Sequence, residues 1–379
     1  MAYAEGQKEH AVMQNRVVML ADFDYFFAQC EELRNPALKD KPVVVGVYSG
    51  RTEISGAVST SNYVARKHGV KSGMPLFLAI RKLEGTEAIF LPVDHEYYEQ
   101  ISERIMQIFR GYAGSMEQVS IDEAYLDVTE QVQGSFERAK DYAQEIKNEV
   151  KKQVGISFTI GIGPNKLVAK IACDSQKPDG LTIITPEEVR CFLLPLPVDR
   201  LLGVGKKINA KMESMSIKTI DDLSKIDVQK LIAVFGKSLG LYFHDAARGI
   251  DNEPVQEAGE AGSMGRMGTL KEDTRDISVI MAKIHEQIED IYEEFTAKNI
   301  SYRLVGISAV MTDLSSKSRS KTLDKPAKDQ ETIYKEAQEL FEKYLSETEL
   351  PIRRVGARIG SFVKEEPRQK QLTSFFQTK

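Results

Sequence analysis

Apolar positions in this chain follow two kinds of pattern. Short unbroken runs, such as the one from Arg16 through Val-Val-Met-Leu to Ala21 and closed by Asp22, suit strands buried on both faces. Longer stretches repeat apolar residues every three or four positions. Tyr97, Ile101, Ile105, Ile108 and Tyr112 make one such stripe and Ala139, Ala143, Ile146 and Val150 another, both reading as amphipathic helices. Two short strands around 119–128 separate these helices, and an alternating strand, 157–163, follows the second. The order is β-α-β-β-α-β, a split βαβ arrangement that gives an antiparallel sheet backed by two helices. The stretch 25–91 that interrupts it is long enough for a small subdomain.

Thr185-Pro186-Glu187-Glu188 reads as a helix start, with Thr185 as cap, Pro186 in the first turn and Glu188 closing a capping box. Short helical patterns continue to Gly249, and the Gly- and Glu-rich stretch 249–265 reads as a linker. Ile280, Ile284, Ile288, Ile291 and Phe295 then mark a long helix, Ile333, Ala337, Leu340 and Tyr344 another. Strands are expected near 265–270, 303–313, 317–323 and 355–363, so β-α-β-β-α-β recurs without obvious sequence repetition. Residues 1–15 lack periodicity and read as a flexible arm.

With 379 residues, the chain exceeds one compact core and suits two to four domains. At 42% hydrophobic and 28% charged it is not mainly disordered. No run approaches the roughly 20 apolar residues of a membrane helix, and the N-terminus lacks a secretory apolar stretch. Cys30, Cys173 and Cys191 are far apart, and read as reduced, buried thiols with no zinc site. The expectation is a cytoplasmic protein with no membrane contact. A net charge of −5 argues against a uniformly basic nucleic-acid binder but leaves room for local basic patches.

Acidic residues mark the candidate chemistry. Asp22 ends the first strand in Ala21-Asp22-Phe23-Asp24, and Asp122-Glu123 sits in the hairpin expected beside it. Carboxylates converging at a sheet edge repel one another unless a cation is present, and Mg²⁺ takes oxygen ligands of this kind. The same residues would also serve as ordinary turn and cap positions, and Asp24 is expected to cap the apparent helix 25–33. Strand alternation puts Asp122 and Glu123 on opposite faces, so both reach one site only if the backbone bends there.

Asp22-Phe23-Asp24-Tyr25-Phe26-Phe27-Ala28, followed by Ser120-Ile121-Asp122-Glu123-Ala124-Tyr125-Leu126-Asp127, resembles the two acidic motifs of the Y-family DNA polymerases. The likeness is greatest to the archaeal form of the DNA polymerase IV (DinB) branch. It runs from about Arg16 to Val363 and includes the segments 56–66 and Lys177-Pro178-Asp179-Gly180. The resemblance implies an α+β, multi-domain right-hand polymerase: a ferredoxin-like βαββαβ palm (16–25 and 92–186), small fingers (26–91) and a helical thumb (187–249). A linker (250–262), a βαββαβ little finger (263–366) and a tail (367–379) complete it.

The resemblance implies further that Asp22, Asp122 and Glu123 are catalytic and hold two Mg²⁺ ions, with the Phe23 carbonyl as another ligand. Phe26, Phe27, Tyr63, Arg66 and Lys177 match the nucleotide-binding positions; Arg and Lys suit triphosphate oxygens. Phe27 lies where the family places the aromatic that excludes ribonucleotides. A core aromatic or a solvated helix face would give the same residues. Substrates would be primer-template DNA and deoxynucleoside triphosphates.

Leu201-Leu202-Gly203-Val204-Gly205-Lys206-Lys207 reads as a helix-hairpin-helix, with Gly203 and Gly205 permitting a tight turn toward a phosphate and Lys206 adding charge. Lys317, Arg319 and Lys321 alternate along one strand face, and Arg353 and Arg354 open the neighbouring strand. Such a face suits duplex phosphates. Gln369, Leu372, Phe375 and Phe376 form the Q-x-x-L-x-x-F-F pattern by which archaeal and eukaryotic proteins engage the PCNA sliding clamp, an apolar plug on one helical turn. The expected activity is low-fidelity, template-directed DNA synthesis by a monomer, in translesion synthesis. The alternatives are a non-catalytic clamp-recruited adaptor and a general gap-filling polymerase.

Overall fold

The computed structural model describes residues 16–364 apart from 258, 260 and 299. The expected arm (1–15) and the clamp-binding residues Gln369, Leu372, Phe375 and Phe376 lie outside the described residues. The chain divides into two compact units. One runs to Ala258 without 47–57 and 75–77; the other comprises those two stretches and the chain from Gly259. Among the described residues no helix is long and apolar enough to cross a membrane.

Strand β1 (Val18–Phe23) is buried at all six positions. Its odd and even residues enter different cores: Met19, Ala21 and Phe23 join one cluster, Val18 and Leu20 another. This is what an unbroken apolar strand achieves at the centre of a sheet covered on both sides. Along the chain follow α1 (Phe26–Arg34), β2 (Val43–Tyr48), β3 (Gly56–Ser61), α2 (Tyr63–Lys67), α3 (Leu76–Lys82) and β4 (Ile89–Pro92). The order β3-β2-β4 makes a small three-stranded sheet within the expected interruption.

Helix α4 (His95–Tyr112), strands β5 (Ser115–Gln118) and β6 (Glu123–Asp127), helix α5 (Phe136–Gln153) and strand β7 (Phe158–Gly163) come next. Both helices begin on side-chain caps, Asp94 and Ser135. Helix α5 buries its expected stripe; in α4 Ile101 and Ile105 are buried, while Tyr97, Ile108 and Tyr112 pack partly buried against the same core. The first hairpin strand lies a few residues earlier than expected. Two elements go beyond the expected six: α6 (Lys166–Ser175) and β8 (Leu181–Ile183), which pairs parallel with β7. The sheet order is β5-β6-β1-β7-β8. Helices α4 and α5 cover one face, while Ala169 and Cys173 of α6 close over Val18, Leu20 and Tyr125 on the other.

Helices α7 (Val189–Leu193), α8 (Lys206–Ser214), α9 (Ile220–Ser224), α10 (Val228–Phe235) and α11 (Lys237–Ala246) share an apolar core with Leu167, Val168, Ile171 and Ala172 of α6. The expected capping box before α7 forms only in part. The Glu188 carboxylate accepts from the Thr185 N–H, but the helix itself starts at Val189 with no side-chain cap. The first part of the expected linker is not loose: Val255 is buried against the sheet, and its carbonyl accepts from Ser115.

The second unit contains β9 (Ser263–Thr274), α12 (Ile277–Thr296), β10 (Ile300–Met311), β11 (Ser316–Ala327), α13 (Gln330–Ser346), β12 (Ile352–Gly360) and the short β13 (Val363–Lys364). The main sheet runs β11-β10-β12-β9, all antiparallel, and both helices pack on one face around Ile284, Ile288, Ile307, Phe341 and Val355. The opposite face carries Ser316, Ser318, Ser320 and Thr322 beside Ser308, Gly306, Arg354 and Arg358. Cys30 and Cys173 are buried, as expected, whereas Cys191 is exposed and corrects that reading.

Candidate active site

In the antiparallel register of β1 and β6, Asp22 stands directly opposite Glu123. Opposed residues share a face of the sheet, so both carboxylates point toward α6, and two like charges so placed repel. Lys170 relieves this: its ammonium lies 3.2 Å from Asp22 Oδ2 and 3.1 Å from Glu123 Oε2. Lys177 approaches the same Asp22 oxygen at 2.5 Å and Asp174 at 3.2 Å. Burial pushes the Glu123 carboxyl above the usual range, and Lys170 pulls it back only in part. Burial also pulls the Lys170 ammonium down, but Glu123 and Asp22 more than offset it and hold it charged.

Asp122 lies just before β6, in the turn, which resolves the alternation problem: it is not a strand residue. Its carbonyl accepts from the Phe23 N–H at 2.8 Å, tying the two acidic segments together. Its carboxylate accepts from the Ser120 hydroxyl at 2.6 Å. Asp22, Asp122 and Phe23 line one cleft, while Glu123, opposite Asp22 in the sheet, is not among its lining residues. Among the described residues, three potential ligand atoms all within 4.8 Å of one another come from Asp22, Cys173 and Asp174. Burial pushes the Cys173 thiol up and keeps it neutral, so this trio lacks the chemistry for a hard cation. The carboxylates of Asp22, Asp122 and Glu123 do not converge in this way, but with the Phe23 carbonyl they are an oxygen-only donor set, the chemistry a hard cation takes.

Asp24 is not a helix cap. It is buried, and its two oxygens accept from the Thr159 hydroxyl (2.9 Å) and the Asp179 N–H (2.7 Å). The residue before α1 is Tyr25, in the left-handed region with φ 40°, which takes the side chain of Asp24 away from the helix N–H groups. Burial pushes the Asp24 carboxyl up, against those two hydrogen bonds.

The cleft has a volume of about 420 Å³. Phe26, Phe27, Tyr63, Arg66 and Lys177 all line it. Tyr63 begins α2, which Asn62 caps through the Ala65 N–H, and the Tyr63 ring meets Tyr25 edge-on at 5.3 Å. Arg66, one turn on, lays its guanidinium over the Tyr63 ring at 4.7 Å and donates to the Ser61 carbonyl. Phe27 stacks on Tyr98 at 4.4 Å and meets His95 edge-on. The Phe26 side chain is only 2% exposed and packs on Phe23, so it belongs to the core beneath the cleft more than to its surface. Sequence reasoning did not pick out Lys170, or the hydroxyl-bearing Ser59, Thr60 and Ser72 of the cleft wall.

Of the expected DNA contacts, Gly203 has φ +82°, Gly205 precedes the first residue of α8, Lys206, and all three are exposed. The first turn of α8 has no acid and begins Lys206-Lys207, an unfavourable arrangement for its dipole that a bound anion would offset. In the second unit the alternation of Lys317, Arg319 and Lys321 holds, but they lie on the helix-backed face. There Arg319 pairs with Glu347, and Lys321 with Glu336 and Glu339. The parity follows from Leu323, which must reach the core from the same strand face. Arg354 is exposed on the opposite face, and Arg353 lies 4.0 Å from Asp273.

Paired acids on a central sheet thus stand beside one cleft that gathers cations and aromatics. Residues 21–174 match the impB/mucB/samB family, 261–372 its C-terminal domain and 199–251 the thumb domain described for DNA polymerase-iota. The DNA polymerase IV of Nitrosopumilus maritimus is 43% identical over 365 residues, 96% of this chain and all of the relative. That of Metallosphaera sedula is 44% identical over 92% of this chain and 97% of its own length. A solved Y-family DNA polymerase chimera of Dbh and Dpo4 matches with a TM-score of 0.87 and 38% identity, over 92% of this chain and all of that one. DinB from Sulfolobus solfataricus matches with a TM-score of 0.62 and 36% identity, over the same shares.

The chain belongs to the Y-family DNA polymerases, in the DNA polymerase IV (DinB) branch. It is a DNA-directed DNA polymerase of the low-fidelity class, and translesion synthesis fits the family. Enzymes of this family depend on metal.

Proposed function

We propose that this polymerase extends a primer on template DNA with deoxynucleoside triphosphates, and that Asp22, Asp122, Glu123 and the Phe23 carbonyl hold two Mg²⁺ ions. The observation that carries the reading is the Asp22–Glu123 pair, set beside a cleft that gathers Tyr63, Arg66 and Lys177 within one unit. When bound, the ions supply the positive charge that makes the primer hydroxyl more acidic and stabilises charge on the attacked phosphate. Arg66 and Lys177 hold and orient the triphosphate, the first as a planar fork and the second as a compact charge. Tyr63 positions Arg66 by stacking. Phe27 supports the deoxyribose and leaves no room for a 2′-hydroxyl.

We assign duplex contacts to backbone phosphates, at the Gly203–Lys206 turn and on the open face of the β11-β10-β12-β9 sheet around Arg354. In this reading the domains are those of the family: palm (16–25, 92–186), fingers (26–91), thumb (187–249) and little finger (263–366), in a cytoplasmic monomer. Gln369, Leu372, Phe375 and Phe376 recruit a PCNA-type clamp. Removing residues 367–379 is expected to abolish stimulation by the clamp while clamp-free extension stays unchanged, measured by processivity on a primed circle.

The central test is primer extension by Asp122→Ala. Loss of one ligand is expected to lower the rate by about 10³-fold while DNA binding persists. Near-normal extension in Mg²⁺ would refute the site. The same assay on intact and damaged templates separates translesion synthesis from general gap filling.

A further inference from the structure

Lys170 does not line the cleft, yet its ammonium bridges the two facing carboxylates. It also lies 3.7 Å from Asp174, and its side chain is only 16% exposed. Its backbone cannot easily retreat. Asn165 caps α6 through the Val168 N–H, the Asp251 carboxylate accepts from the Leu167 N–H, and Ala169 and Cys173 are buried against the sheet. Lys166, one turn earlier, pairs with Glu117 of β5 and with Glu253 of the segment after α11, so both lysines of this helix face meet an acid of the sheet. Lys177 differs: it lines the cleft and can follow a bound substrate.

We propose that Lys170 is a built-in counter-ion for the Asp22–Glu123 pair, and that it sets how tightly the site takes a divalent cation by competing for the same carboxylate oxygens. The proposal rests on the metal reading above. Without a cation, Lys170 holds two facing carboxylates together that would otherwise repel, and so keeps β1 and β6 in register at the site. When a cation enters, one or both oxygens must leave the ammonium. The cost of that exchange weakens binding by the free chain and leaves the site dependent on the additional oxygens of a bound substrate. Lys170 is thus a positioning residue, not a catalytic one.

The experiment uses the full chain without DNA, with Mn²⁺ as probe, its binding followed by electron paramagnetic resonance and its folding by thermal melting in chelator. Parent binding that is lost in Asp22→Asn shows that the carboxylates hold the cation; absence of such binding overturns the metal reading and this proposal together. Given parent binding, Lys170→Met is expected to bind Mn²⁺ at least about tenfold tighter, to melt lower than the parent in chelator, and to recover with saturating Mn²⁺. Equal or weaker binding by Lys170→Met overturns the counter-ion role while leaving the metal site standing. Lys170→Arg keeps the charge and is expected to bind no more tightly than the parent. Tighter binding there would overturn competition by charge even if the methionine variant failed to fold.

Discussion

A phenyl ring stacked flat on a second ring has little freedom, and Phe27 lies on Tyr98 at 4.4 Å with an interplanar angle of 21°. Tyr98 is itself pinned, its hydroxyl donating to Glu31 at 2.7 Å. A floor fixed in this way can exclude an extra hydroxyl by bulk, because the ring cannot yield to it. Phe27→Ala is therefore expected to raise ribonucleotide incorporation by at least about tenfold relative to deoxynucleotides, read from single-nucleotide kcat/KM values. Unchanged discrimination would return Phe27 to the role of a core aromatic. At this scale the sequence was legible where residues stand in a motif. Asp22 and Glu123 were found through the two acidic motifs, since alone they would serve equally as turn or cap residues. Asp24 misled, because a sequence cannot show that the preceding backbone turns through a left-handed residue and sends the carboxylate to Thr159 instead.

Elements were legible in proportion to the contrast between their faces. Helices α4 and α5 have one core-facing stripe and were found by it, although their caps, Asp94 and Ser135, were not. Helix α6 was not: Leu167, Val168, Ala169, Ile171, Ala172 and Cys173 are all buried, because it is covered by the sheet on one side and by helices on the other. Its polar residues, Lys166, Lys170 and Asp174, make only a narrow row between two buried sides, and Lys170 was missed with it. Strand β11 shows the reverse problem. Its alternation was plain, but the sequence did not say which face the helices cover, and the cations lie on the helix side. Two substitutions separate these roles. Lys321→Met is expected to reduce the thermal stability of the second unit, by leaving Glu336 without its cation, and to leave the salt dependence of DNA binding unchanged. Arg354→Ala, on the open face, is expected to leave melting unchanged and to lower the salt slope by about one phosphate contact, measured by fluorescence anisotropy across salt concentrations.

Across the molecule, a net charge of −5 sits on a DNA polymerase because acids are spent in two ways. Some lie at the site, and others neutralise the chain's own lysines and arginines. The segment after the helical core shows the second use. Composition marked 249–265 as a linker, since Gly and Glu say little about what a chain lies against. Its first half is fastened to the first unit instead. The Gly249 carbonyl accepts from Asn165, the Asp251 carboxylate from the Leu167 N–H, and the Glu253 carbonyl from Arg16, while Glu253 also pairs with Lys166. Val255, 5% exposed, closes over Val18, Leu20 and Tyr125, the same strands that carry Asp22 and Glu123. A charge at Val255 would be buried without a partner, at a cost of about 3 kcal/mol or more. Val255→Asp is therefore expected to lower the melting temperature of the first unit by roughly 6–12 °C, at about 2–4 °C per kcal/mol for a unit of this size. Gln256→Asp, one exposed position further on, is expected to change little. Equal melting of the two variants, followed by calorimetry, would show that the segment is a passive tether and not part of the catalytic core.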